Sequence, residues 1–319
     1  MPFDLGYPPV RSSLSRAGYD GTSLQNVALR FGTEDACVEH VMQMRFGQGA
    51  PCQKCGRISS WCRRTTKLYA LRCCGLVVSP LTDTLFHRTN MPLRLWFYAM
   101  LHFANSHEGV NAGFLERHLG ISYNAAFRMA QRIRWHLSEL ERKTPIFVPG
   151  MGIEVRVQTL HRVRSGTSSH NRANILFAAR DGKVGCEILG LSRQRAALQA
   201  MAKMAPQHGD LRTTCHRTAR LFSDYGSKRP RATYLPCYFM DHPEEVDAIK
   251  GFQSYFLWPF QTHHKYASRA HLWLYLSEFL FRYNRRHRSA QTFWDMISAF
   301  PKLTTRRDVP EGSDATREN

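Results

Sequence analysis

The spacing of apolar residues changes near Pro149, and no other feature constrains the fold of this chain as strongly. Before this point apolar residues recur at helical intervals, in blocks near 33–46, 92–107, 111–119 and 122–140. After it come three segments rich in β-branched and apolar residues, near 151–160, 172–180 and 184–191. Asp181-Gly182, between the last two, is a strong hairpin signal. Further helices near 192–204, 243–257 and 268–286 and a strand near 209–214 complete the pattern. We therefore predict a mixed α/β fold, with helices first and an α/β domain over residues 150–290.

The same pattern divides the chain into segments. Residues 1–30 are rich in Gly, Pro and Ser, and the last residues are polar, so we expect a loose leader over 1–30 and a C-terminal tail over 291–319. Between them we expect a short helix with a zinc-ribbon-like module over 31–90, a helix-turn-helix over 91–145 and the α/β domain over 150–290.

Basic residues outnumber acidic ones throughout the chain, with 44 Lys and Arg against 25 Asp and Glu and a formal net charge of +19. Because 43% of the residues are hydrophobic, a disordered basic tail is excluded, and the folded surface should attract a polyanion. The chain has no apolar run near the ~18 residues that cross a bilayer, and its N-terminus lacks a signal-peptide core. We expect a cytoplasmic, nucleoid-associated protein that does not bind a membrane.

Five of the nine cysteines form a cluster, and an odd count without an export signal favours reduced thiols or a metal site over disulfides. Cys52 and Cys55 are separated by two residues and followed by glycine, which is typical of a zinc knuckle. Adjacent cysteines fit a tetrahedral site poorly, so we predict zinc on Cys52, Cys55 and Cys74, with Cys73 or Cys62 as the fourth ligand. A ribbon held by packing alone, with free thiols, is the alternative.

Residues 111–140 predict the helix-turn-helix, with a turn at Gly120. In the last helix Ala126, Met129, Ile133 and Leu137 share one apolar face. The remaining face carries basic and amide side chains suited to phosphates and base edges, and these are the predicted DNA-binding residues: Arg128, Gln131, Arg132 and Arg134. The alternative is an amphipathic helix in a bundle, with its polar face in solvent.

Four stretches follow one another along the chain: FGTEDACVEHVMQMRFGQGAPCQKCG, SPLTDTLFHRTNMPLRLW, HLGISYNAAFRMAQRIR and HLWLYLSEFLFRYNRR. In this order they resemble the signatures of ISXO-like bacterial insertion-sequence transposases. The resemblance covers roughly residues 30–288 and is most specific from Tyr275 to Arg286. It implies a zinc ribbon and helix-turn-helix, followed by a ribonuclease-H-like domain that cuts and joins DNA ends.

That chemistry requires three carboxylates that hold two Mg²⁺ ions for an in-line displacement at phosphorus. The resemblance puts Arg156 at the first carboxylate position, Cys215 at the second and Asp247 at the third. Glu154, two residues before Arg156 on the same strand face, is a candidate substitute. A cation where a divalent ion must bind repels that ion, so we expect the Mg²⁺ site to be lost.

These observations predict a transposase-related protein that binds double-stranded DNA, including terminal inverted repeats, and has lost strand transfer. An active Mg²⁺-dependent transposase with displaced carboxylates is one alternative, and a structural protein that binds nucleic acid without sequence preference is another. Whether the chain acts as a monomer or a homodimer stays open.

Overall fold

The computed structural model of the chain describes residues 22–52, 54–142, 153–161, 172–189, 193–204, 211–213, 215–223, 232–234, 243–264 and 267–303. The predicted leader therefore lies outside the described residues up to position 21, and so does the predicted tail from position 304.

Two helices and a small sheet come first. The helices are α1 (Leu24–Phe31) and α2 (Glu34–Phe46), and Thr33 caps α2 through its side-chain oxygen, which accepts a hydrogen bond from the Ala36 N–H at 3.2 Å. An antiparallel sheet follows in chain order, built from β1 (Gly49–Pro51), β2 (Ile58–Thr65), β3 (Leu68–Leu71) and β4 (Val77–Val78). The capped helix predicted near 33–46 is confirmed.

Three more helices form the predicted helix-turn-helix segment: α3 (Leu93–Asn105), α4 (Ala112–Leu119) and α5 (Tyr123–Arg142). Asn111 caps the start of α4, and Gly120 ends it in the left-handed conformation, at φ 63°. The Gly120 N–H donates to the Glu116 carbonyl oxygen at 3.0 Å. This closed helix end lets the chain turn and enter α5 at once.

The second half of the chain forms a mixed sheet covered by helices. Its elements are β5 (Ile153–His161), β6 (Arg172–Arg180), β7 (Lys183–Leu189), α6 (Arg193–Met204), β8 (Leu211–Thr213), α7 (His216–Ser223), β9 (Ala232–Tyr234), α8 (Pro243–His263), α9 (Leu272–Tyr283) and α10 (Ser289–Ile297). Within the described residues the strand order is β7-β6-β5-β8-β9, with β5, β6 and β7 antiparallel and β8 and β9 parallel to β5. The predicted hairpin is present, and both turn residues, Asp181 and Gly182, have positive φ.

Residues that alternate along β6 separate the two faces of this sheet. Ile175 and Phe177 pack against α8 and α9, where Phe252 and Phe279 lie. Leu176 and Ala178 pack on the opposite face, and the buried side chains there are those of α6 and α7, among them Ala197, Met201 and Phe222. The predicted mixed α/β class is confirmed.

The segment after α9 corrects the predicted tail. Phe293, Met296, Ile297 and Phe300 recur at helical spacing and are buried in the same core as Phe31 of α1 and the aromatic residues of α3. Residues 289–303 therefore belong to the N-terminal helical unit, although the α/β sheet separates them from it in the chain. Among the described helices, none combines the length and the apolar character that crossing a bilayer requires.

Candidate functional site

The first knuckle of the small sheet is a tight loop between β1 and β2. The Cys52 N–H donates to the Arg57 carbonyl oxygen at 2.9 Å, and the Gly56 N–H donates to the Cys52 carbonyl oxygen at 2.7 Å. Gly56 has φ 68°, a conformation that a side chain would strain. The loop therefore holds the thiols of Cys52 and Cys55 on one side.

A second loop between β3 and β4 repeats these hydrogen bonds. The Leu71 N–H donates to the Leu76 carbonyl oxygen at 3.0 Å, the Gly75 N–H donates to the Leu71 carbonyl oxygen at 2.8 Å, and Gly75 has φ 70°. Leu71 thus occupies in the second knuckle the place that Cys52 occupies in the first. A thiol is missing at that place, and Cys73 lies two residues after it.

The thiols of the two knuckles meet. The Sγ atoms of Cys52, Cys55 and Cys73 lie within 4.8 Å of one another, and Cys74 also hydrogen-bonds to Cys52. Both adjacent cysteines, Cys73 and Cys74, interact with Cys52, and the expectation that they fit one tetrahedral site poorly stays a prediction. Cys62 does not join them, since its thiol donates to the Ala70 carbonyl oxygen at 3.2 Å.

The charge state of the cluster suits a cation. The backbone N–H groups of Cys55 and Lys54 lower the pKa of Cys52 to about 6, and the thiols of Cys74 and Cys73 lower it further against the effect of burial. The thiolate is the form of cysteine that binds metal, and sulfur ligands favour zinc. These four residues are therefore close enough, and chemically suited, to hold one metal ion.

The ribbon is fastened to the helical unit through α2. The Tyr69 hydroxyl donates to Glu39 Oε2 at 2.7 Å, and the rings of Phe46 and Trp61 meet edge to face at 5.6 Å between centroids. A change in the cysteine cluster would therefore affect the contacts between the small sheet and α2.

The predicted DNA-binding face of α5 is only partly at the surface. Arg134 is 2% exposed, and its Nε donates to Glu278 Oε2 at 2.6 Å. The prediction that Arg134 contacts DNA is wrong, because the residue lies one helical turn after buried Ala130 and faces the interior.

The other three predicted residues differ in exposure. Arg132 is half-buried, and its Nη1 donates to the carbonyl oxygens of His87 at 2.8 Å and Leu85 at 3.4 Å. Gln131 is half-buried as well, and Arg128 alone of the four is exposed.

The exposed residues that sequence reasoning missed lie at the start of α5. Tyr123 and Phe127 are large apolar side chains with 53% and 44% exposure, and Asn124 beside them is exposed as well. Tyr123, Asn124 and Phe127 lie on one side of the helix. The spacing of these large side chains relative to Arg128 is visible in the sequence and could have indicated this surface.

Glu278 connects α5 to α9 through buried charges. Its carboxylate, 0% exposed, lies between Arg134 and Arg282, and the Val110 N–H donates to it at 3.2 Å. Burial alone would raise the pKa of Glu278, but the two guanidinium groups outweigh burial and hold the pKa at about 2. Removing one member would leave a buried charge without its partner, at a cost of about 3–5 kcal/mol.

The three predicted carboxylate positions map onto the central sheet as follows. Arg156 is half-buried on β5, and Glu154, 1% exposed, projects from the same face of that strand. Cys215 follows β8, the parallel neighbour of β5, and its carbonyl oxygen accepts the N–H groups of Thr218 and Ala219 at the start of α7. The backbone of Asp247 lies in α8, and its side chain lies outside the described residues.

Arg156 and Cys215 interact electrostatically. Burial raises the pKa of the Cys215 thiol, but hydrogen bonds from Thr218 and Arg217 and the charge of Arg156 outweigh burial, so the net shift is downward. A guanidinium group and a thiol do not fit Mg²⁺, which prefers oxygen ligands. Among the described residues, the cysteine cluster is also the only group of three or more metal-ligand side chains within reach of one ion.

Comparison of the chain with models of protein families, with curated proteins and with solved structures gives no match. The resemblance to transposases therefore depends on the motifs in the sequence.

Proposed function

We propose that this chain is a transposase-derived protein that binds double-stranded DNA and has lost metal-dependent strand transfer. The observation that carries the proposal is the pair Arg156, on β5, and Cys215, just after the neighbouring strand β8. They stand at the positions where the resemblance requires metal-binding acids. A divalent ion bound there would face a guanidinium charge instead of a carboxylate, and no step of DNA cleavage can be derived from these side chains.

The order of the strands supports the ribonuclease-H-like part of the proposal. In ribonuclease-H-like domains the first three strands are antiparallel to one another. Two further strands, parallel to the first strand, extend the sheet on the side of that strand. The order β7-β6-β5-β8-β9 has this form. The support is an analogy of fold, so the loss of activity is argued from the side chains and not from the sheet.

The cysteine cluster supports a structural zinc ribbon. Cys52, Cys55, Cys73 and Cys74 would hold the ion, and because all four are protein ligands the ion would keep no open position for a substrate. Its role would be to close the two knuckles onto each other and so shape a surface beside the helical unit.

The overall charge of +19 and the exposed Arg128 support DNA as the partner. Terminal inverted repeats are the proposed target. A polyanion held by many phosphate contacts should bind less tightly as the salt concentration rises.

The test combines binding and cleavage on the same DNA. Full-length protein purified without chelator should bind a fragment carrying inverted repeats from the flanking genome more tightly than a scrambled fragment, measured by fluorescence anisotropy at several salt concentrations. The same protein with Mg²⁺ or Mn²⁺ should leave supercoiled plasmid intact over hours. Nicking by the wild type that is absent in Glu154→Gln or Asp247→Asn would contradict the proposed loss of activity. Failure to bind any duplex would overturn the whole proposal.

A further inference from the structure

The first two turns of α5 form an exposed face, which we call the reading face, made of Tyr123, Asn124, Phe127 and Arg128. These positions lie on one side of the helix. On the opposite side, Ala126, Met129 and Ala130 are at most 1% exposed and anchor the helix in the core. A helix held rigidly on one side presents the other side in a fixed orientation.

We propose that the reading face enters the major groove of DNA and that Asn124, Phe127 and Arg128 select the base sequence. Asn and Arg side chains pair in two-pronged fashion with adenine and guanine, and an apolar ring packs on the methyl group of thymine. This inference deepens the proposed function and depends on it.

The charges around the reading face favour DNA over a protein partner. Residues 123–134 contain arginines and no acidic residue, whereas the acidic residues of α5, Glu139 and Glu141, lie at the far end of the helix, each paired with an arginine. Ser122 begins the helix, and its hydroxyl accepts the Ala125 N–H at 3.4 Å. The positive end of the helix dipole is therefore beside the face that would approach phosphate.

Arg132, one helical turn after Arg128, ties a second basic segment to α5. Arg132 donates two hydrogen bonds to the carbonyl oxygens of Leu85 and His87, and the next residue, Arg88, is exposed with φ 51°. A left-handed conformation at a residue other than glycine costs about 1–3 kcal/mol and persists only where neighbours hold it. Arg132 thus acts as a positioning residue that fixes the loop, and Arg88 binds a phosphate of the DNA backbone.

The geometry also predicts the spacing of the bases. Asn124 and Arg128 are four residues apart, which is ~6 Å along a helix. Base pairs rise ~3.4 Å each. An adenine read by Asn124 and a guanine read by Arg128 should therefore lie about one or two base pairs apart, with a thymine next to them for Phe127.

The experiment is selection of DNA from a pool of randomised duplexes by the full-length, zinc-loaded protein. Wild type should enrich a motif with the spaced adenine and guanine. Asn124→Ala and Arg128→Ala should each bind this motif about 10- to 100-fold more weakly and accept any base at one position. Arg88→Ala should weaken binding to all sequences alike and lower the slope of log affinity against log salt by about one.

Arg142→Ala is the matched control, because Arg142 is an exposed arginine at the other end of the same helix; it should change affinity less than twofold. Thermal melting of each variant shows that loss of binding is not loss of fold. A wild-type motif that Asn124→Ala and Arg128→Ala enrich unchanged would overturn the inference while the proposed function stands. Self-association of the protein that Phe127→Ser abolishes without affecting DNA affinity would do the same. Binding without sequence preference would overturn the inference and also the proposed target, the inverted repeats. Absence of DNA binding would overturn the proposed function itself.

Discussion

The small sheet and the central sheet differ in the side chains that they offer a metal ion. In the small sheet a thiol is missing at Leu71, and Cys73 lies close enough to replace it. In the central sheet the positions where the resemblance puts carboxylates hold Arg156 and Cys215, a positive charge and a soft ligand.

The physical reason is the role of the ion in folding. The four short strands of the ribbon bury little surface, so an ion that joins their loops contributes directly to stability. The sheet of the α/β unit has an apolar core on both faces, so burial of these side chains stabilises it independently of an ion. We therefore expect loss of a ligand to destabilise the small sheet, and carboxylates missing from the central sheet to leave its fold intact.

The largest expected effect is in the ribbon. Cys52→Ser should remove about one equivalent of zinc and several kcal/mol of local stability, since structural zinc in zinc-finger peptides contributes ~10–16 kcal/mol. Metal analysis and hydrogen exchange of residues 49–78 measure the two quantities. Cys62→Ser, whose thiol lies outside the cluster, should keep the zinc. Wild-type protein that is folded and free of zinc would contradict the expectation that the small sheet depends on an ion.

The second knuckle offers a sharper test. Cys73→Ser should lower zinc affinity about 10- to 100-fold, or ~1.4–2.8 kcal/mol. Adding Leu71→Cys should restore most of this affinity, because the second knuckle would then match the first. Competition with a chromophoric chelator measures the affinities. Leu68→Cys in the same Cys73→Ser background is the control, because it adds a thiol on the same strand outside the knuckle. It should not restore zinc affinity. Equal recovery of zinc affinity with Leu71→Cys and with Leu68→Cys would refute the assigned positions.

A smaller effect is expected when carboxylates are returned to the sheet. The double variant Arg156→Asp/Cys215→Asp should be stabilised by Mn²⁺, by ~1.4 kcal/mol at a tenfold excess over Kd. Wild type should show no such stabilisation, because a guanidinium group repels the ion. Thermal melting with and without Mn²⁺ measures the difference, and an equal shift in both proteins would show that Mn²⁺ binds elsewhere.

The smallest effect concerns the thiol at the sheet. Arg156 lowers the pKa of Cys215 in the folded protein, so Arg156→Gln should move the midpoint of Cys215 alkylation to higher pH, and Arg156→Lys should leave it nearly unchanged. Peptide mass spectrometry of protein alkylated at a series of pH values follows this one cysteine. An unchanged midpoint in Arg156→Gln would mean that the charge of Arg156 does not reach the thiol.

Local features of the fold could be predicted from the sequence, because their causes lie within a few residues. Thr33 caps α2 through its side-chain oxygen, whereas Gly120 ends α4 and Asp181-Gly182 turns the hairpin through backbone conformations with positive φ. The knuckle at Cys52 and Cys55 belongs to the same class. Such signals are independent of the rest of the chain.

Features that depend on distant partners could not be predicted. Arg134 resembles a surface arginine until Glu278, 144 positions later in the chain, is brought beside it. The apolar stripe of α10 is visible in the sequence, but nothing local shows that it packs on α3. The equivalence of Leu71 and Cys52 depends on the hydrogen bonds of the two knuckles, which no local sequence pattern shows.

The position of α10 has a consequence for synthesis. Phe293 and Met296 complete the core that α1 and α3 begin, His40 and His136 hydrogen-bond to the carbonyl oxygens of Ile297 and Met296, and the Leu303 N–H donates to the Asp83 carbonyl oxygen. At ~5–20 residues per second, a ribosome needs on the order of 10–30 s to pass from the end of α5 to the end of α10. During this time the core of the first helices lacks the side chains that α10 contributes. Products that stop before α10 should therefore expose the apolar core of the first helices and be degraded, so that shortened forms of the chain do not accumulate.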